Sequence, residues 1–278
     1  SKLDNQPLYE RWAIDRYPIL SDGAGQRLAT VEGYSTIAAT NNSVFQCPSA
    51  SGSIAVDGLN NYIANTGMHV DSFPLTYIRP GANPRTVTFA RSMSRVNGVF
   101  NKRYAGFDPG NPSRLVAIGK KVRSEDFADG RSATMLLSEN QQAQPWYLTR
   151  LTGNTSHLTN ITNVGGQPVT MYPVESRYLQ GSVWHFEDHA SFAGAAPVPR
   201  LHKINGGDVY QQTMQSTNFA DLARPSSLHV SGVNMAMADG SVHFVVDTID
   251  YRMYQALMTP NGRSSDVPMN EFVPVVGL

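Results

Sequence analysis

The residues able to do chemistry fall into four groups. His229 is followed after nine residues by Asp239-Gly240, a spacing that raises the question of a His/Asp catalytic or metal pair. His185 and His189 bracket Phe186, Glu187 and Asp188; two histidines at i, i+4 on a helix could hold zinc. The zinc-protease pattern needs Glu beside the first histidine, and Phe186 stands there instead. Asp126, Asp129 and Glu139 could offer oxygens to Ca²⁺, but the alternating acidic ladder of a calcium loop is missing. The simpler reading makes Asp129-Gly130 a turn and Glu139 a hydrogen-bonding residue at a strand end. The single cysteine, Cys47, excludes a disulfide within the chain and reads as a small buried hydrophobe. No G-x-S-x-G nucleophile elbow, Cys-x-x-Cys pair or phosphate-binding Gly-Lys loop occurs.

Composition narrows the class. Lys plus Arg and Asp plus Glu are 22 each, so no basic excess points to nucleic acid. Charged residues are only 16%, and polarity comes from Asn, Ser, Thr, Gln and Gly, which suits a β-rich surface or secreted protein. A chain of 278 residues can bury roughly three quarters of its unfolded surface. No apolar run nears the ~20 residues that span a bilayer.

The elements that must position these residues follow from pattern. A short helix is expected over 5–14, with Pro7 first and Leu8 and Trp12 on one face. Residues 44–53 read as a strand stopped by Pro48, 60–67 as an extended segment, and 98–100 as the start of a strand. The prolines of 71–95 suggest a loop insertion, 150–208 is irregular and β-rich, and 193–208 is read as loop. Residues 124–130 form one helical turn and 133–139 a buried strand. Asp250 caps a helix over 251–258 with Tyr251, Tyr254, Leu257 and Met258 on its apolar face; Ile249 can staple onto Tyr254, and Pro260-Asn261-Gly262 ends it.

The segment HVSGVNMAMADGSVHFV reads as a β-hairpin turning at Asp239-Gly240. A two-residue type I′ turn pairs Met237 with Val242 and Met235 with Phe244. Val233, Met235, Met237, Val242, Phe244 and Val246 then share one apolar face. At ~3.3 Å per residue His229 and Asp239 lie roughly 25–33 Å apart, too far to share a proton or a metal.

These stretches, taken in order, resemble a large family of bacterial pilin-like surface proteins with a prepilin-type N-terminal cleavage and methylation segment and an H-X9-DG signature. The family's main domain is of unknown function and carries an old label of solute-binding protein. The resemblance rests on DNQPLYERW, VFQCPSA, NNYIANTG, NGVF, FADGRSATMLLSE, ARPSSLHVSGVNMAMADGSVHFV and TIDYRMYQALMTPNG, and covers nearly the whole chain. Val230-Ser231 stands where Pro-Gly is common, and Ala133 where Asn is common.

The resemblance implies an α+β fold: a type IV pilin or pseudopilin-like antiparallel sheet with short helices and long loops. The 278 residues would form one globular headpiece outside the cell. The family's long apolar N-terminal helix is absent from this chain, and membrane contact would come only through it. His229, Asp239, Gly240, Asp129, Gly130, Glu139 and Cys47 become structural markers rather than catalysts. Cys47 could pair with a cysteine of the absent segment. The expected role is non-enzymatic, a structural or adhesive subunit of a surface filament or secretion pseudopilus, with other pilin-like subunits or cell-surface components as partners and no cofactor. The alternative is a glycan- or solute-binding surface module on the same fold, using Trp12, Trp146, Trp184 and tyrosines as stacking platforms.

Overall fold

The computed structural model describes residues 42–50, 59–68, 91–92, 94–101, 121–143, 180–185, 203–206 and 223–267 with their side chains. It gives the backbone alone at 75–78, 84–87, 89–90, 104–108, 111–117, 160–164, 167–170 and 207–209. The expected helix over 5–14, and Trp12, Trp146 and His189, lie outside these residues.

Five strands form the central sheet: β1 (Tyr62–Met68), β6 (Met135–Glu139), β9 (Gly181–Trp184), β10 (Gly232–Met237) and β11 (Val242–Val246), in the order β11-β10-β6-β1-β9. Three hairpins stand apart from it: β2 (Leu75–Ile78) with β3 (Pro84–Val87), β4 (Tyr104–Asp108) with β5 (Asn111–Ala117), and β7 (Asn160–Val164) with β8 (Gln167–Thr170). The stretch read as a loop at 71–95 thus holds the β2–β3 hairpin and a helical turn, α1 (Phe89–Ser92).

The expected antiparallel sheet is mixed. β1–β6, β6–β10 and β10–β11 pair antiparallel, but β1–β9 is parallel. A parallel neighbour requires a long crossover, and the chain runs through β2 to β8 before β9 returns beside β1. Of the strand expected over 44–53, residues 44–50 form none: Ser43–Phe45 is a 3-10 turn capped by Asn42, whose side chain accepts from Val44 N. Residues 98–100 also form no strand.

The C-terminal helix, α2 (Tyr251–Met258), has the bounds that its apolar spacing predicts. Asp250 caps it, accepting from Arg252 N at 2.8 Å. Tyr251, Tyr254, Leu257 and Met258 are buried against Met68, Met135, Trp184, Val233, Met235, Met237 and Val245, with Ile249 packed at the edge. Each such side chain contributes roughly 1.5–3 kcal/mol on burial. The Tyr254 hydroxyl donates to Val183 O, and burial pushes its pKa up.

A polar network fixes the middle of β1. The Asn65 amide donates to Met135 O and Met258 O, joining β1 to β6 and to the end of α2. Val99 N and Phe100 N donate to Asn65 O. Here two glycines meet: a Cβ on Gly98 would lie 2.3 Å from Gly67 Cα, and Gly67 itself has φ +90°. The NNYIANTG and NGVF segments therefore interlock backbone against backbone, a contact that a methyl group would push apart.

The β10–β11 hairpin exists, but its register differs from the expected one by one residue. Met235 pairs with His243 and Asn234 with Phe244. Met237 N donates to Ser241 O and Gly240 N donates to Met237 O, so Ala238-Asp239-Gly240 is a three-residue loop. Only Gly240, at φ +93°, enters the left-handed region; Ala238 and Asp239 do not, which excludes the type I′ turn. The Asp239 carboxylate accepts from Ser241 N at 2.9 Å and from its hydroxyl at 2.6 Å. The hydroxyl contact, followed by the backbone one, lowers the Asp239 pKa. Because side chains alternate, the slip turns β11 over. Val245 is 1% exposed and in the core, whereas Val242, Phe244 and Val246 are 65, 46 and 47% exposed. Phe244 does not feed the core as the two-residue turn required.

A second tight turn precedes β10. Ser231 has φ +60°, the conformation that glycine adopts without cost, and it stands where the resembling family commonly has glycine. Ser231→Gly should therefore raise stability by about 0.5–1 kcal/mol, the relief of left-handed strain less the entropy of a more flexible unfolded chain. The check is the urea midpoint; an unchanged or lower midpoint would show that the turn carries no strain.

Candidate functional site

The sheet has two unlike faces. One carries the core and α2. The other holds Tyr62, Ala64, Leu137, Glu139, Asn234, Ala236, Val242, Phe244 and Val246, as the pairings Tyr62–Glu139, Ala64–Leu137, Leu137–Ala236, Ala236–Val242 and Asn234–Phe244 require. At the end of this face where β6 finishes, three marker residues from distant parts of the chain converge.

Glu139, the last residue of β6, is their centre. Its Oε1 lies 3.0 Å from His229 Nε2 and 3.5 Å from Cys47 Sγ. The Asn234 amide donates to the same oxygen at 3.2 Å, and Asn234 N donates to Oε2 at 2.8 Å. The Glu139 side chain is 6% exposed and that of His229 29%. One ligand atom from each of Cys47, Glu139 and His229 lies within 4.8 Å of the other two.

Each arm is held by its own backbone. Cys47 N donates to the Asn61 side chain at 2.9 Å, while Asn61 N donates to Phe45 O and Asn61 O accepts from Asn140 N. Asn61 thus ties the Cys47 turn to the residue after Glu139. On the other side, Ser226 N donates to Glu139 O, and the Asn140 amide donates to Arg224 O. Ser227 Oγ accepts from His229 N at 3.0 Å and donates to Gly232 O at 2.6 Å, which sets the histidine at the base of β10. Tyr62 stands beside the group. Burial first, then the charges of Cys47 and Glu139 and a hydrogen bond with Cys47, push its phenol pKa up.

The other expected site residues are elsewhere. Asp239 and Gly240 form the hairpin loop at the opposite end of β10 from His229, so they share no site with it. Asp129 accepts from Gly262 N at 2.5 Å and donates its own N–H to Pro260 O, clasping the turn after α2. Burial raises the Asp129 pKa against the lowering pull of the Gly262 bond and Arg263. Gly130 follows in that turn at φ +100°. Asp126 pairs with Arg95 at 3.0 Å. Asp126 and Asp129 are thus engaged by Arg95 and Gly262, and Glu139 by the Cys47–His229 group. His185 directly follows β9; its N–H donates to the Tyr251 hydroxyl and its carbonyl accepts from Gln255. His185 is buried, and its expected partner His189 lies outside the described residues. Trp184 is fully buried and donates to Asn97 O, so it offers no face to a sugar.

Sequence reasoning named Cys47, Glu139 and His229 separately and did not bring them together. Each sits in a different segment of the resemblance. No periodicity links a turn near residue 47, a strand end at 139 and a turn at 229; only the β1–β6–β10 order does.

An open-faced mixed sheet, backed by one helix and locked at one end by a His–Glu–Cys group, is the class of domain these features define. The chain belongs to the family described as Protein of unknown function (DUF1559), whose model matches residues 2–252. That family is bacterial, prepilin-type and pilin-like, with the H-X9-DG signature that His229 and Asp239-Gly240 carry here. It suggests a secreted protein. No curated protein and no solved structure matches the chain. Among the described residues no helix is long and apolar enough to cross a membrane.

Proposed function

We propose that this chain is a non-enzymatic, extracellular, pilin-like subunit, with a structural or adhesive role in a surface filament or secretion pseudopilus. The observation that supports it is the second face of the sheet. Leu137, Val242, Phe244 and Val246 stand exposed there, on β6 and on the edge strand β11. An exposed apolar edge strand is a liability that proteins usually blunt with charge, and a contiguous apolar patch marks a surface meant for covering. In an assembling subunit that covering is another apolar element of the assembly. Among the described residues the rival reading as a glycan-binding module finds no open indole, because Trp184 is enclosed.

The test is a double charge substitution, Val242→Glu with Phe244→Glu, in the protein expressed from its own gene in its bacterium. Both side chains point out of the core, so near-ultraviolet circular dichroism should remain native. Recovery of the variant in sheared surface filaments or secreted assemblies should fall at least tenfold. Incorporation at the unsubstituted level would remove the assembly reading.

A further inference from the structure

We propose that Cys47, Glu139 and His229 form a binding site for a divalent transition-metal ion, with Zn²⁺ the ion that the ligand set fits best. The proposal does not depend on how the apolar face is used.

Geometry carries it. Zinc bonds of ~2.3 Å to sulfur and ~2.0–2.2 Å to nitrogen and oxygen, set at tetrahedral angles, place ligand atoms roughly 3.4–3.6 Å apart. The Nε2–Oε1 and Sγ–Oε1 separations are 3.0 and 3.5 Å, and the third falls within the 4.8 Å limit of the group. The two separations to Oε1 lie within a few tenths of an ångström of those values, and the Cys47–His229 pair is close enough for side-chain rotation to close it on an ion.

The chemistry agrees. Thiolate, imidazole and carboxylate are a mixed soft and borderline set that suits zinc and its neighbours; Ca²⁺ and Mg²⁺ prefer all-oxygen cages. Binding would replace the thiol proton and the Nε2–H that now point at Oε1. The thiol proton leaves to solvent, and the imidazole stays neutral with its proton on Nδ1. One thiolate and one carboxylate then balance a dication, so no net charge is buried at a group whose central carboxylate is 6% exposed.

The surroundings resemble the support that metal ligands need. Glu139 Oε2 is fixed by Asn234 N and the Cys47 turn by Asn61, so two arms are preorganised before an ion arrives. The third, His229, is partly exposed, which gives the ion a way in and leaves the fourth position to water.

The experiment uses the full chain, stripped with chelator, and the metal ions alone. Titration with Co²⁺ should produce a thiolate-to-cobalt charge-transfer band saturating at one equivalent and displaced by Zn²⁺. Cys47→Ser should abolish the band. His229→Ala should weaken Co²⁺ binding at least tenfold. One equivalent of Zn²⁺ should slow alkylation of Cys47 at least tenfold. Cys47→Ser and His229→Ala leave Glu139 on Asn234, so their circular dichroism should stay native; Glu139→Gln, which keeps an acceptor for Asn234 N, gives a further folded variant. Absence of the band together with unchanged alkylation would overturn the site, as would a band that His229→Ala leaves at full affinity.

Discussion

Arg91→Ala should lower the stability of the domain by about 3–5 kcal/mol, among the largest effects of any single change outside the core. Asp266 is buried with a side-chain exposure of 0%, and Arg91 Nε lies 2.7 Å from its Oδ2. The same oxygen accepts from the Asn97 amide at 2.8 Å, while Asn97 Oδ1 accepts from Asp266 N. Asn97 also accepts the indole N–H of Trp184 through its carbonyl and donates to Arg91 O. One fully buried carboxylate thus ties the C-terminal turn, the helical turn α1 and the core tryptophan together. Removing Arg91 takes a charge partner from a fully buried carboxylate. Asp266→Ala should cost less than Arg91→Ala, because Arg91 is 34% exposed and can turn to water. Urea denaturation measures both; a loss under 1 kcal/mol for Arg91→Ala would mean that the pair is not structural.

Local chemistry was the part of this fold that could be read in advance. Helix α2 announces itself because cap, staple, apolar spacing and Pro-Asn-Gly stop agree over a dozen residues. β1, β6 and the existence of the β10–β11 hairpin were equally legible. The hairpin register was not, for a definite reason. A two-residue loop at Asp239-Gly240 and a three-residue loop at 238–240 both demand glycine at 240, and differ only in whether Ala238 pairs. The binary pattern then misled. Val242, Phe244 and Val246 are the more apolar set of β11, so burying them looked right, yet the three-residue loop buries Val245 and exposes the other three. An apolar set turned outward is a conflict with a monomeric core, and such conflicts gather at functional surfaces. The parallel strand β9 and the Cys47–Glu139–His229 group depend on how distant segments lie side by side, which no local pattern encodes.

Glu139→Ala should destabilise the domain by about 3–4 kcal/mol, although it removes no core hydrophobe. Three donors on one oxygen and one on the other lose their acceptor together. The Asn234 N–H is the costly one, since it is a backbone donor of β10 in a partly buried site, where an unmet hydrogen bond costs roughly 1–3 kcal/mol. The Cys47 and His229 segments would also lose the anchor that draws them onto the sheet. Two comparisons separate the roles. Glu139→Gln keeps an acceptor for Asn234 N but turns an amide N–H₂ toward the thiol and imidazole, and should cost about half as much. Cys47→Ser and His229→Ala remove one donor each, leave the carboxylate satisfied by Asn234, and should cost about 1 kcal/mol or less. Urea unfolding of all four proteins therefore predicts an order, with alanine at 139 far below the rest. If Cys47→Ser or His229→Ala proved as damaging as Glu139→Ala, the group would be an indivisible structural lock. If Glu139→Ala cost under 1 kcal/mol, the buried carboxylate would contribute nothing to the fold.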